Sequence, residues 1–454
     1  MKSRLILIVL VATLCCCTED FLDKKPSKAL VVPTELSHMQ ALLDAYAGGI
    51  NSGPGLHTAA TDEFYHPDAN LGNVSALDRN TYLWAANIFE GQASNHWDNS
   101  YKSIFYANVV LDGLSKIKPD SVSQSSWDHV YGSALFIRAM SLFNLAQVFA
   151  APYEKSAAPS LLGLPIRLDM DVNEISQRGT LQQTYDRIIA DLNESENKMA
   201  SHQPLYVSRP SRQAARALLA RVYLVMGEYD KALEAASSSL AIHDLLLDYN
   251  TLNPAAARPL PAVLTGKNPE VIFHQSLAPM VILDSPLTGV DSLLYKTYQP
   301  DDLRKTCYFV LRPTGNIGYK GSYFGGATMF GGLTTSEMLI IRAECYARQG
   351  KTDLALADLN TLLEKRFKTG RFTPLTADQQ SILPLILAER RRELFGRGLR
   401  WSDLRRLNPD PRFAVTITRT YEGKTYTLPA NDKRYVFPIP DNEIQASGIT
   451  QNPR

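Results

Sequence analysis

One short stretch of the sequence carries side chains that could bind a metal ion or move a proton. It reads HTAATDEFYHPD over residues 57–68 and contains His57, Asp62, Glu63, His66 and Asp68. Imidazoles and carboxylates are common metal ligands, but no pair in this stretch has a recognised ligand spacing. The pattern therefore favours a hydrogen-bonded or ligand-facing loop over a metal site, and we expect no cofactor.

A second candidate for chemistry is a pair of carboxylates near the end of the chain. Glu389 and Glu393 lie one helical turn apart, whereas the two carboxylates of a glycosidase flank the sugar bond from opposite sides, ~5–9 Å apart. Arginines occupy all three positions between them, so we interpret both carboxylates as ion-paired. The G-x-S-x-G, P-loop and Rossmann glycine patterns are also absent from the sequence. We therefore predict no catalytic residue and no enzymatic activity.

The first residues of the chain bear on its location. A short basic start precedes an apolar run, residues 5–14, which is too short for a membrane-spanning helix of ~20 residues. This order is typical of a secretory signal peptide. Leu14 lies three residues before Cys17, the spacing found in bacterial lipoproteins. We predict a signal peptide over residues 1–16 and lipidation of Cys17; the alternatives are an uncleaved anchor and a cytosolic protein.

Charge and cysteine content narrow the possible partners. The full chain has a formal net charge of +1, and removal of the signal peptide leaves it close to neutral, which argues against nucleic acid as a partner. After removal of the signal peptide, three cysteines are expected to remain: Cys17, Cys307 and Cys345. Cys345 lies in an apolar helical pattern and is predicted to be a core residue. We do not expect a disulfide between them, because sequence alone does not bring them within bonding distance.

Three long helices can be predicted from apolar periodicity. Residues 95–116 repeat apolar and aromatic positions at steps of three and four, which indicates one buried helix face. Residues 126–150 are apolar nearly all round, the pattern of a buried helix. Residues 180–199 form the third helix, with Thr180 as its N-cap.

An internal repeat supplies two further helix pairs. Residues 219–240 and 342–363 align at a shift of 123, so that Gly227 matches Gly350 and small residues match small residues. Small residues let two antiparallel helices approach, and the glycine makes the turn between them, as in tetratricopeptide repeats. Because one pair cannot bury its apolar face alone, we expect the other helices to stack with these two.

Long irregular stretches separate the helices, at 47–94, 151–179, 241–333 and 408–454. Their many aromatic residues argue against disorder. Within the last stretch, residues 414–428 alternate around Glu422-Gly423, which predicts a β-hairpin. We therefore predict a mainly α fold, with a tetratricopeptide-like helical-repeat core, long irregular loops and a small hairpin. Its N-terminal region, 17–240, and C-terminal region, 241–454, are expected to form one compact unit.

Several segments, in this order and spacing, resemble the SusD/RagB family of outer-membrane lipoproteins from Bacteroidetes. They include CTEDFLDKKP at 17–26, WDNSYKSIFYANVVLDGL at 97–114, GLPIRLD at 163–169, NPEVIF at 268–273, AERRRELFGRGLRWSDLRRL at 388–407 and FPIPDNEI at 437–444. The chain departs from the family at Arg397, where glutamate is usual, and at Leu399, where a polar residue is common. The first change puts a local ion pair in doubt.

The resemblance implies a binding protein. SusD-like proteins cap a SusC-like TonB-dependent β-barrel transporter at the cell surface and deliver oligosaccharides, or in some relatives peptides, into it. Glu19 and Asp20 suit the acidic signal that sends such lipoproteins to the outer face of the outer membrane. Two alternatives remain open: a membrane-tethered all-α glycosidase or lyase, which would turn over an oligosaccharide, and a repeat scaffold that binds only proteins, which would have no small-molecule affinity.

Sugars stack on aromatic rings, with a few polar groups fixing their hydroxyls, so the four tryptophans were compared. Trp97 and Trp401 lie in the family's helical segments and Trp127 begins a buried helix, which leaves Trp84. The first predicted ligand cluster is therefore Trp84 with Tyr65, His66, Arg79 and Tyr82.

A second predicted ligand cluster lies in the glycine-rich segment 315–332. Its members are Tyr319, Tyr323 and Phe324, and the glycines around them would let a loop present rings to a ligand. The alternative for both clusters is that the rings attach long loops to the helical core.

Overall fold

A computed structural model describes residues 34–45, 50–171, 173–200, 206–262, 265–321 and 323–454. The predicted signal peptide and the predicted lipidation site, Cys17, lie outside the described residues.

Within these residues, eight helices of twelve residues or more form the framework. They are α1 (Asn95–Ser115), α2 (Gln124–Phe149), α3 (Leu181–Lys198), α4 (Arg212–Met226), α5 (Tyr229–Leu240), α6 (Thr335–Arg348), α7 (Thr352–Glu364) and α8 (Ile382–Glu393). The three helices predicted from periodicity are confirmed as α1, α2 and α3. The Thr180 hydroxyl accepts from the Gln183 amide, and the Gln183 side chain accepts from the Thr180 amide, so a complete capping box begins α3.

The helices stack in chain order. Each packs on the next from α1 to α7, and α8 packs on α6. In both repeated hairpins, α4–α5 and α6–α7, the first helix is followed by a glycine with positive φ, 74° at Gly227 and 72° at Gly350. Only glycine adopts left-handed backbone at little cost in free energy, which explains why both hairpins have glycine at this position. The tetratricopeptide-like arrangement is confirmed.

Helix α2 is the centre of this stack. It is long and apolar enough to span a membrane, yet nearly all of its most apolar part is buried in the core. Its C-terminal carbonyl groups are capped from the far end of the chain. The Phe437 amide donates to the Val148 carbonyl at 2.9 Å, and Asn452 Nδ2 donates to the Phe149 carbonyl at 2.7 Å. These bonds satisfy carbonyl groups that a helix end leaves unpaired.

The predicted irregular stretches contain short helices and two-stranded ladders. Their short helices are Leu56–Ala60, Asp68–Leu71, Ala76–Tyr82, Val281–Asp284, Ser292–Lys296, Arg304–Cys307 and Asp441–Ser447, with 3-10 turns at Tyr249–Thr251 and Lys433–Tyr435. Two further short helices, Leu36–Leu43 and Arg400–Leu407, lie outside those stretches. The strands are β1 (Ser52–Gly53), β2 (Phe64–Tyr65), β3 (Leu162–Pro165), β4 (Arg178–Thr180), β5 (Val271–Phe273), β6 (Ser276–Leu277), β7 (Gly289–Val290), β8 (Phe309–Leu311), β9 (Ile317–Tyr319), β10 (Leu333–Thr334), β11 (Ile417–Tyr421) and β12 (Lys424–Leu428).

The strands pair as β1–β6, β2–β7, β3–β4, β5–β10, β8–β9 and β11–β12, and the first of these ladders is parallel. The β11–β12 ladder is the predicted hairpin. Its turn residues Glu422 and Gly423 have φ values of 49° and 73°, which is the backbone of a tight two-residue hairpin turn.

The cysteines of the described residues, Cys307 and Cys345, are buried and free. The predicted core position of Cys345 is confirmed. Burial raises the pKa of the Cys345 thiol to about 12, which keeps it protonated and unreactive.

Candidate functional site

The two predicted ligand clusters lie in one region of the fold because short strands connect them. Strand β2 pairs with β7, with Phe64 opposite Val290 and Tyr65 opposite Gly289. Strand β7 also contacts β9, which pairs with β8. The rings of Phe64 and Tyr319 consequently come within 6.1 Å of each other, measured between centroids. Tyr65 and Tyr319 are 254 positions apart in the sequence, and the short ladders bring the strands that carry them together.

Trp84 and Tyr82 belong to the core rather than to a ligand surface. Trp84 is 1% exposed, and its indole N–H donates to the Ala60 carbonyl at 3.0 Å. The Arg419 guanidinium lies 3.6 Å from the Tyr82 ring centroid and 4.3 Å from that of Trp84. It also donates to the carbonyl oxygens of Tyr82 and Thr61. Neither ring is accessible to a ligand in this structure, because a cation from the β11 strand covers both.

His66 is also an interior residue. Its Nδ1 lies 2.9 Å from the Thr288 hydroxyl, and its ring meets that of Tyr82 edge to face at 4.6 Å. Burial, together with a smaller contribution from the Arg419 charge, lowers the pKa of His66 to about 3. The imidazole is therefore neutral at pH 7 and joins the loop after β2 to the loop before β7.

Tyr323 is buried as well, at 1% exposure. Its hydroxyl donates to Glu270 Oε2 at 2.6 Å and lies 3.1 Å from the Tyr249 hydroxyl. The Arg397 guanidinium lies 4.1 Å from the centre of its ring. The cation that replaces the family's usual glutamate thus stacks on an aromatic ring. In this structure Tyr323 and Trp84 both attach long loops to the core, which is the alternative to ligand binding.

Four of the eight predicted ligand residues are at least partly exposed. Tyr65 is 42% exposed, and its ring lies against Gly289, where a Cβ would come within 2.0 Å of Tyr65 Cε1. Arg79, Tyr319 and Phe324 are half-buried. Tyr65 is therefore the predicted ligand residue with the most accessible ring, and a glycine backbone holds that ring in place.

Strands β8 and β9 extend the surface beside Tyr65. Val310 and Leu311 are exposed on β8. The Arg312 side chain lies across Gly318 of β9, and its Nη1 donates to the Thr288 carbonyl at 2.9 Å. We call Tyr65, Val310, Leu311 and Arg312 the loop-layer surface. The sequence did not single out Arg312, because its neighbours in space come from the loop before β7.

The two glutamates that resemble a glycosidase pair are ion-paired core residues, as interpreted from the sequence. Arg304 pairs with both Glu389 and Glu393, and Arg366 pairs with Glu393 at 2.8 Å and with Glu270 at 2.6 Å. Burial alone would raise the pKa of Glu393, but the guanidiniums of Arg366 and Arg304 hold it at about 2. A permanently charged, fully paired carboxylate has no proton to give to a leaving group.

The acidic and histidine side chains of residues 57–68 are directed to separate partners. Asp62 pairs with Arg391 at 2.9 Å and Arg400 at 2.7 Å. Glu63 Oε1 accepts from the Gly396 amide at 3.0 Å. This stretch therefore joins the N-terminal loops to α8 and to helix Arg400–Leu407, in keeping with the predicted hydrogen-bonded loop.

The architecture is that of an α-helical repeat protein in which a short strand outside the helical stack carries the accessible ring of Tyr65. Comparison with models of known protein families identifies the family. Residues 20–224 match a SusD-like family described as starch-binding and associating with the outer membrane, and residues 334–454 match the SusD family itself. The chain belongs to the SusD family.

Curated relatives are distant. A SusD-like protein of Formosa agariphila is 21% identical over 406 residues, which covers 72% of this chain and 74% of the relative. A second SusD-like protein of the same organism is 28% identical over 152 residues. That alignment covers 32% of this chain and spans about a quarter of the relative's length, 26%.

Solved structures share the fold over nearly the whole chain. A putative sugar-binding protein from Bacteroides vulgatus has a TM-score of 0.74 at 22% identity, covering 93% of this chain and 99% of that one. A SusD superfamily protein from Bacteroides thetaiotaomicron has a TM-score of 0.74 at 21% identity, with 92% and 100% covered. At these identities the likeness establishes the fold.

Proposed function

We propose that this protein is an outer-membrane lipoprotein that captures an oligosaccharide, or a peptide, and delivers it to a TonB-dependent β-barrel transporter. The observation that carries the proposal is the match of both ends of the chain to SusD family models, one of them described as starch-binding. The proposal comprises binding without turnover, attachment through Cys17 and exposure at the cell surface.

We place the ligand on the loop-layer surface, with Tyr65 as the ring on which a sugar stacks. Tyr65 is accessible and rests on a glycine backbone, so it is already ordered before a ligand arrives, which limits the entropic cost of binding. Arg312 Nη1 already donates to the Thr288 carbonyl, next in the chain to Gly289, and its remaining guanidinium N–H groups can donate to hydroxyl oxygens.

Calorimetry with purified protein tests both ligand and surface. We expect one member of a panel of maltoheptaose, cellohexaose, xylohexaose and short peptides to bind, and its chain length to be unchanged afterwards. Tyr65→Ala should weaken binding by about 1–3 kcal/mol, the usual effect of losing a stacked anchor. Leu293→Ala, an exposed apolar side chain outside the loop-layer surface, is the matched control. Release of shorter products would favour the glycosidase alternative.

The anchor is tested separately. Cys17→Ala should abolish incorporation of a fatty-acid probe and release the protein from the membrane fraction. Undiminished label in this variant would exclude Cys17.

The partner is tested by native purification. Solubilised membranes should yield this chain together with a large β-barrel protein, because helical-repeat surfaces bind proteins over extended areas. Recovery of the chain alone would contradict the delivery step while leaving ligand capture intact.

A further inference from the structure

A cavity of about 400 Å³ lies between α1, loop residues 165–169 and 174–176 and the short helix Asp441–Ser447. Cavities of this size accept small organic ligands or part of a larger one. Two aromatic residues on α1, Tyr101 and Phe105, line it one helical turn apart, and both are half-buried. The cavity therefore has an aromatic wall that a ligand can reach.

Hydrogen bonds to main-chain carbonyl groups hold the loop that faces this wall. The Tyr101 hydroxyl donates to the Pro165 carbonyl at 3.0 Å. Asn108 Nδ2 donates to the carbonyl groups of Arg167 and Asp169, at 3.1 and 2.9 Å. Three bonds from one helix thus fix the path of the loop along the cavity.

The anchoring asparagine is itself fixed from the core. Its Oδ1 accepts from Arg138 Nη1 at 2.9 Å, and the Arg138 guanidinium pairs with Asp191 at 2.8 Å. Both side chains of this ion pair are buried. The cavity wall is consequently connected to a rigid part of the helical stack, so a ligand would not have to order a loop on binding.

The polar residues that line the cavity provide both donors and acceptors. Its cations are Lys102 and Arg167, and its carboxylates are Asp169, Glu174 and Glu443. A site for phosphate or nucleic acid would have an excess of cations, and a site for a lipid chain would lack these charges. Aromatic rings combined with both donors and acceptors suit a ligand with apolar ring faces and many hydroxyl groups.

We propose that this cavity is a second glycan site, separate from the loop-layer surface. A pyranose ring packs its C–H face on Phe105 and Tyr101. Its hydroxyl groups donate to the carboxylates of Glu443 and Asp169 and accept from the Arg167 guanidinium. The ligand class rests on the proposed function, whereas the position of the site rests on the geometry of the cavity.

Two tryptophan substitutions on one helix test the position. Ala446 and Gln445 are neighbouring exposed residues of helix Asp441–Ser447, and Ala446 lines the cavity. Ala446→Trp should fill the cavity and lower the stoichiometry of maltoheptaose, or of whichever panel glycan binds, from two sites to one. Gln445→Trp should leave two sites. Equal stoichiometry in these two variants would overturn the second site.

Ring deletions separate the second site from the proposed function. Phe105→Ala should weaken one of the two binding events about tenfold, and Tyr65→Ala should weaken the other. A wild-type protein that binds neither glycan nor peptide contradicts the proposed function, and one that binds peptide alone contradicts the glycan class of the second site. Glycan binding that Tyr65→Ala reduces and Phe105→Ala leaves unchanged contradicts the second site alone.

Discussion

The two repeated hairpins have the same backbone but opposite buried charges. Arg221 in α4 and Glu344 in α6 occupy the same position of the repeat, 123 residues apart, and both are buried. Arg221 pairs with Glu337 of the next hairpin at 2.6 Å, and Glu344 pairs with Arg406 of helix Arg400–Leu407 at 2.6 Å. The small residues make the hairpins alike, whereas each buried ion pair joins a hairpin to a different successor.

The largest loss of stability is expected in the first hairpin, where Arg221 pairs with the buried carboxylate of Glu337. Both oxygens of Glu337 accept from Arg221, so Arg221→Met leaves a buried carboxylate without its cation. We expect the free energy of unfolding to fall by about 3–5 kcal/mol, measured by chemical denaturation. The control is Arg209→Met, which removes a partly exposed pair with Asp44 and should cost about 1 kcal/mol or less. Equal losses would show that burial of the pair does not matter.

In the second hairpin, the buried Glu344 should make the free energy of unfolding depend on pH in the acid range. Burial alone would raise the pKa of Glu344, but Arg406 and Arg348 hold it at about 2, below its ordinary value of 4.5. Its contribution is therefore complete above pH 4.5 and is lost as pH falls towards 2. Glu344→Gln should destabilise by about 3 kcal/mol at pH 7 and by much less at pH 2. A difference that stays constant with pH would contradict this assignment.

The smallest effect concerns the shared turn. Gly227→Ala and Gly350→Ala each place a Cβ on left-handed backbone, which costs about 1 kcal/mol. A Cβ at Gly227 meets no atom within 4 Å, whereas one at Gly350 comes within 3.0 Å of Gln379 Nε2. Because Gln379 is exposed and can move, we expect the two thermal unfolding midpoints to fall by similar amounts, slightly more for Gly350→Ala. A large difference would show that the two turns are not equivalent.

The sequence predicted the elements whose causes are local. The cap of α3, the two matched hairpins and the turn at Glu422-Gly423 each depend on residues within a few positions of one another. Their side-chain chemistry can be recognised without knowing the rest of the fold.

The exposure of aromatic rings could not be predicted in the same way. Trp84 was selected because the other three tryptophans lie in helices, but its burial depends on Arg419, more than 300 residues away. Tyr323 is covered likewise by Arg397. The cavity beside α1 also combines three distant segments, and no motif in any one of them indicates it.

The capping of α2 by Phe437 and Asn452 has a consequence for the order of events when the protein is made. The Asn452 bond joins residues 303 positions apart in the sequence. A ribosome therefore releases the central helix long before the residues that cap its last turn, and long-range contacts of this kind form slowly. The last turn of α2 therefore acquires these two bonds only after residues 437–452 have been translated.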